Sequence, residues 1–132
     1  MTAAVEETGY RPCVLIAHAD PVYAARASRE FRRRGWDPYE ARTGPEARRL
    51  ARMLEPALVV LGTELPEESG WLTCDKLTRE DPSLDVFLVA DAPDVPGEHF
   101  ASFAGAAGLV AASDGVEALL HVVEDVPLPV AG

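Results

Sequence analysis

Four short apolar runs punctuate the chain: PCVLIA at 12–17, ALVVLG at 57–62, VFLVA at 86–90 and the weaker GLVAA at 108–112. None alternates polar with apolar residues, so each reads as a strand covered on both faces. Between them lie segments with helical spacing. After the first run, Asp20-Pro21 supplies an N-cap followed by proline at the first helical position, and Gly35 closes the helix. Val22, Ala25, Ser28 and Phe31 are its expected inward positions. PEARRLARML at 45–54 is a second amphipathic helix, with Ala47, Leu50, Ala51 and Leu54 inward. GWLTCDKLTRE at 70–80 is a third, stopped by Asp81-Pro82. APDVPG is a loop, a short helix is expected at about 97–104, and residues 114–126 contain a final helix with Val116, Leu119, Leu120 and Val123 apolar.

WDPYEA at 36–41 completes the set as a short strand. Pro38 cannot donate a ladder hydrogen bond, which sends that strand to a sheet edge. Five strand–helix units in alternation predict an α/β fold: a doubly wound parallel sheet with helices on both faces and right-handed crossovers. An edge position for the second strand fits the order 2-1-3-4-5 of flavodoxin-like folds, in which ligands bind beyond the carboxyl ends of the strands.

The 132 residues suit one domain. Residues 1–11 read as a flexible N-terminal segment, 12–125 as the domain and 126–132 as a Pro-rich flexible tail, with no second domain after residue 125. At 48% hydrophobic and 26% charged, the composition is that of a globular chain. No apolar run approaches the roughly 20 residues that span a bilayer, and the acidic N-terminus lacks a signal sequence. Cys13 and Cys74 have no metal or redox spacing and are read as free thiols in a reducing compartment, so a cytoplasmic location is expected. Few lysines and abundant Ala, Arg, Gly and Pro hint at a GC-rich bacterial genome.

Net charge is −10, which argues against nucleic acid as a partner. The charge is unevenly spread. Nine arginines and only four acids lie between positions 26 and 52, a local balance of +5. SREFRRRG therefore reads either as a solvated helix face or as a docking surface for an acidic partner protein, through Arg26, Arg29, Arg32 and Arg33.

Several segments resemble the receiver domain of bacterial two-component response regulators, over about residues 12–125. VLIAHADP (14–21) is similar to that family's first strand and acidic turn. GWDPYEARTGPEA (35–47) resembles its second strand and the entry to its second helix. LVVLGTELPEESG (58–70) resembles its third strand, Leu-Pro pair and helix-opening glycine. VFLVADA (86–92) and GAAGLVAAS (105–113) fall at its fourth and fifth strands. The resemblance implies a CheY-like fold and a definite chemistry. Two acids after the first strand and one ending the third hold Mg²⁺ through oxygen ligands. The third acid accepts phosphate from a histidine kinase. A hydroxyl ending the fourth strand and a lysine ending the fifth bind the phosphoryl group.

On this chain those positions are His18, Ala19, Gly62, Ala90 and Ala112, and the family's aromatic switch position is Leu109. Every chemical position has changed, while Asp20-Pro21, Gly44, Pro66, Gly70 and Gly105 match the frame. The expectation is a degenerate pseudo-receiver: a phosphorylation-independent protein–protein interaction module in bacterial signalling or regulation, with no catalytic residue, cofactor or metal. Self-association through the fourth and fifth strand–helix units, as in family members, is expected as a homodimer. The alternative is a small-molecule sensor, or a cryptic enzyme, that uses the emptied pocket.

His18 also has readings of its own. With Asp20 and Glu64 it suggests a transition-metal site; as a partly buried imidazole it would bond a neighbouring group. Thr63 and Ser113 stand near enough to be considered as nucleophiles beside it, but no triad pattern frames them. GTELPEESG is expected to be a solvated acidic turn. Trp36 and Trp71 are packing residues by expectation, and His99 and His121 carry no chemistry.

Overall fold

The computed structural model describes residues 11–91, 101–102 and 104–125. Residues 1–10 of the expected N-terminal segment, the tail from 126, the loop after Asp91, His99 and most of the expected 97–104 helix lie outside them. In chain order the elements are β1 (Cys13–Ala17), α1 (Pro21–Arg33), β2 (Asp37–Ala41), α2 (Gly44–Leu54), β3 (Leu58–Gly62), α3 (Gly70–Glu80), β4 (Asp85–Ala90), β5 (Gly108–Ala111), a 3-10 turn (Ala112–Asp114) and α4 (Gly115–Val123).

The five strands form one parallel sheet in the order β2-β1-β3-β4-β5. Alternate residues of each central strand serve opposite faces. Val14, Ile16, Leu58, Val60, Phe87 and Val89 pack under α1 and α4, with Ala27, Phe31, Val116 and Leu119. Leu15, Val59, Leu61, Val86 and Leu88 pack under α2 and α3, with Ala47, Ala51, Cys74 and Leu77. Burial on both faces is why the strand sequences are continuously apolar. β2 and β5 are the edge strands; β2, with Pro38 opposite Val14, keeps most of its residues accessible, and β5, expected to be covered on both faces, buries only Val110 because it has a neighbour on one side alone.

Side chains set the helix starts. Asp20 Oδ1 accepts the Val22 N–H at 2.9 Å, with Pro21 opening the helix. Thr43 Oγ1 accepts the Glu46 N–H at 3.1 Å, and Glu46 reaches back to accept the Arg42 N–H at 2.7 Å. Ser69 Oγ caps α3 through the Leu72 N–H at 3.2 Å. Each such cap contributes about 1 kcal/mol.

The inward face of α1 holds as expected at Ser28 and Phe31 and differs at its start. Tyr23, Ala24, Ala27, Ser28 and Phe31 are buried, whereas Val22 is 60% exposed and Ala25 faces solvent. The inward stripe is wider at the start of the helix, where Tyr23 turns its ring inward to stack on His18, with ring centroids 4.6 Å apart. An aromatic ring buries more apolar area than valine and decides which residue turns inward there. On α2, Ala47 and Ala51 are buried as expected, while Leu50 and Leu54 are only partly covered. Trp36 packs edge-on against Phe31, and Trp71 is half-buried against the α2–α3 core.

Candidate functional site at the carboxyl ends of the strands

The loops leaving β1, β3 and β4 enclose a cavity of about 400 Å³ lined by His18, Ala19, Asp20, Gly62, Thr63, Glu64, Val89 and Asp91. Its floor follows from sheet register. Ala17 pairs with Leu61 and Gly62 with Val89, so the residues after β1 and β4 flank the end of β3. The Thr63 N–H donates to the Val89 carbonyl at 2.9 Å, and the Gly70 N–H donates to the Thr63 carbonyl at 3.0 Å. The α3 entry therefore crosses directly over the end of β3. A side chain at 70 would run into the Gly62 carbonyl, which explains glycine there.

Gly62 is closed off from the other side by His18. A Cβ at position 62 would stand 2.9 Å from His18 Cδ2 and 3.3 Å from Cγ, closer than unstrained packing allows. The imidazole is half-buried and stacked on Tyr23, and its Nδ1 accepts the Asp20 N–H at 3.0 Å. That bond leaves the proton of the neutral ring on Nε2. Burial pushes the His18 pKa below the usual histidine value, although Asp20 and Asp91 oppose the shift. His18 thus occupies, as a neutral ring, space that a side chain at 62 would need.

Of the five positions singled out in the sequence, His18, Ala19 and Gly62 come together around the cavity. Ala90 ends β4 in register with Ala111, and Ala112 opens the 3-10 turn against the α1–α4 core; neither lines the cavity. Asp91 does, with its backbone carbonyl 3.4 Å from the Ser113 hydroxyl that donates to it. The residues present do not fit Mg²⁺. The three inherited positions offer no carboxylate, and among the described residues no group of three or more His, Cys, Asp or Glu is arranged to hold a metal ion. The His18–Asp20–Glu64 metal reading finds no support in the geometry, since these three are not among any group of metal-ligating side chains that converge in the described residues.

The acidic turn after β3 is not uniformly solvated. Glu64 and Glu67 are exposed, but Glu68 is 9% exposed and lies at the centre of a polar cluster. Arg48 binds both of its oxygens at 2.9 and 3.1 Å, Lys76 Nζ one at 2.8 Å, and the Thr73 hydroxyl donates at 2.7 Å. Burial alone would raise the Glu68 pKa, yet the hydrogen bonds from Arg48, Lys76 and Thr73 outweigh it and hold the carboxyl at about 2. The expectation of a solvated turn fails here because two cations on α2 and α3 converge on one residue. Glu67, beside it, adopts a left-handed backbone at φ 69°.

On α1, Arg26, Arg29, Arg32 and Arg33 all face solvent. Arg33 pairs with Glu30 at 3.3 Å, as does Arg34 at 2.9 Å. Arg26, Arg29 and Arg32 make no ion pair with the described residues. Arg26 and Arg29 border a notch of about 130 Å³ with Glu30, Val116 and Glu117 of α4. A further cleft of about 400 Å³, lined by residues including Ala51, Pro56, Leu77 and Leu84, lies at the opposite end of the sheet and is bridged by Arg52–Glu80. Glu55 and Asp81 complete its polar rim. Both cysteines are free, and burial pushes the Cys74 thiol up to about 12, which makes it inert.

Solved structures share this arrangement. Vibrio cholerae chemotaxis protein CheY4 superposes with a TM-score of 0.82 at 15% identity, covering 89% of this chain and 100% of that one. A LuxR-family two-component response regulator from Aurantimonas sp. gives a TM-score of 0.80 at 24% identity, covering 87% and 84%. The domain has the CheY-like receiver fold. The BeF3-activated DrrB receiver domain matches too, with a TM-score of 0.77 at 23% identity over 87% of this chain and 96% of that one.

Among curated proteins, the chain is 34% identical over 115 residues to the "Probable transcriptional regulatory protein TcrX" of Mycobacterium tuberculosis, covering 87% of this chain and 46% of that protein. It is 31% identical over 75 residues to the DNA-binding dual master transcriptional regulator RpaA of Synechocystis sp., covering 57% and 31%. The chain spans less than half the length of the curated relatives it matches. No family model matches it. No helix among the described residues is long and apolar enough to cross a membrane.

Proposed function

We propose that this receiver is a phosphorylation-independent interaction module that docks another protein and is not an enzyme. The observation that carries the reading is Gly62 at the position of the family's phosphate acceptor, with the neutral ring of His18 packed over it. No side chain there can take a phosphoryl group. Ala90 and Ala112, where a hydroxyl and an amine would relay the switch, leave nothing to bias a two-state equilibrium. Output then comes through binding in one conformation. The docking surface is the exposed arginine row of α1, Arg26, Arg29, Arg32 and Arg33, and the partner is a protein with an acidic surface. Self-association through the fourth and fifth strand–helix units would be the route to a homodimer.

Treatment with acetyl phosphate and Mg²⁺ tests the first half. Intact-mass spectrometry is expected to show no gain of a phosphate, and a stoichiometric gain would overturn the reading. Affinity capture with the wild type beside a variant carrying Arg29→Glu, Arg32→Glu and Arg33→Glu tests the second. A partner retained equally by both would move the docking surface elsewhere.

A second reading is that the cavity binds a small molecule. It is favoured by one observation: His18 covers Gly62, yet about 400 Å³ stays open at the strand ends.

A further inference from the structure

His18 holds its place through an acceptor. Its Nδ1 takes the Asp20 N–H at 3.0 Å, and Asp20 Oδ1 in turn takes the Val22 N–H at 2.9 Å. Two consecutive links therefore run from one imidazole lone pair to the first turn of α1. The ring stacks on Tyr23, and its Cδ2 edge covers the space where a Cβ at position 62 would stand. This arrangement exists for the neutral ring alone. A proton taken from solvent at Nδ1 turns the acceptor into a donor that faces another donor. No rotation restores the bond, since both nitrogens of an imidazolium carry hydrogen.

Among the described residues, the charged groups that line the cavity beside His18 are all carboxylates. Asp20 lies in the β1–α1 turn, Glu64 follows β3 and Asp91 follows β4. Gly62 and Thr63 bring no charge. Tyr23 of α1, with Glu117 of α4 acting on it, has its hydroxyl pKa pushed up to about 12 and stays neutral. An imidazolium is drawn toward the carboxylates and away from the Asp20 N–H. We infer that His18 is a pH-sensitive switch: on acidification its protonation releases the Asp20 N–H, loosens the first turn of α1 and moves the ring from its seat over Gly62. The single conformation proposed above is that of the neutral ring, and the switch operates whatever partner the arginine row takes. Burial holds the His18 pKa below the ordinary histidine value of about 6.5, which sets the switch on the acid side of neutrality. The unfolded chain takes the proton first. The ring's contribution to stability is therefore complete above about 6.5 and is lost as pH falls from there toward the folded pKa.

Proton–nitrogen NMR of the histidine rings, on the full chain between about pH 8 and pH 5, is the test. His18→Asn separates the His18 signals from those of His99 and His121, and it keeps an oxygen acceptor for the Asp20 N–H without a titrating ring. In the wild type the expected result is the Nε2–H tautomer at the upper end and one transition below about 6.5, with the Asp20, Val22, Tyr23 and Gly62 amide signals moving at the same midpoint. Amide exchange at Asp20, normalised to its intrinsic rate at each pH, should rise about two- to tenfold across the transition, the effect of losing one hydrogen bond. In His18→Asn those amides are expected to stay in place over the same range. An Nδ1–H tautomer, a midpoint above the ordinary value, or a ring titration that leaves the Asp20 and Val22 amides unmoved overturns the switch on the wild type alone, whether or not the variant folds. The same amide transition in His18→Asn also overturns it and assigns the change to the carboxylates.

Discussion

At position 62 the missing side chain and its neighbour act together. His18 leans over Gly62, stacks on Tyr23 and accepts the Asp20 N–H, so its ring has little room to move. Gly62→Asp is therefore expected to destabilise the domain by about 1–3 kcal/mol, the usual cost of overpacking. It should gain no phosphate from acetyl phosphate. Adding His18→Ala should recover most of the lost stability, and urea denaturation of the single and double variants checks both. Tyr23 presents the opposite defect. Its hydroxyl is buried with no hydrogen-bond partner among the described residues, and burial, with a smaller contribution from Glu117, pushes its pKa up to about 12. Tyr23→Phe keeps the stack on His18 and removes the unpaired oxygen. A rise in stability of about 1 kcal/mol is expected in thermal or chemical denaturation.

At the scale of elements, Glu68 joins α2 to α3. Arg48 reaches it from α2, and Thr73 and Lys76 from α3. Glu68→Gln removes the charge that both cations share and is expected to cost about 2–3 kcal/mol, typical of hydrogen bonds to charged groups. The pH dependence has a definite sign. The folded carboxyl titrates at about 2, below its unfolded value of about 4.3. Its contribution is complete above the unfolded value and disappears as pH falls toward 2. The Gln variant should lose less stability than the wild type between those limits, measured by denaturation at each pH. This cluster was not legible in the sequence, because Arg48 lies 20 residues from Glu68 and an acidic turn reads as solvated. The strands were legible, since Leu58–Gly62 and its neighbours are covered on both faces and must be apolar throughout. On α1, Ser28 and Phe31 were legible, but the start of the helix was not: the polar tip of Tyr23 concealed a ring that packs inward. In the candidate site, the lack of a reactive side chain at Gly62 and Ala19 could be read from residue identity alone. The lean of His18 over Gly62 and the presence of Asp91 on the rim depend on how loops from separate strands meet.

For the whole molecule, the sheet order places the ends of β1, β3 and β4 side by side, whatever residues stand there. The receiver fold thus stands with no carboxylate at His18, Ala19 or Gly62. Thermal unfolding is expected to be the same with and without millimolar Mg²⁺. A clear upward shift in Tm on adding the ion would reveal a cation site and contradict the fit of His18, Ala19 and Gly62 described above. Charge on the molecule is divided in the same modular way, with the basic segment from 26 to 52 on an otherwise acidic chain.

The packing of His18 against Gly62 also bears on how such a domain changes over generations. Placing an acceptor at Gly62 alone meets the imidazole. Taking the His18 step first gives up the stack on Tyr23 before any acceptor exists. Either order passes through a less stable chain that has gained no activity. The two positions are thus coupled like a latch: a carboxylate at 62 and a smaller residue at 18 are each costly alone, so the two changes are expected to be tolerated only together.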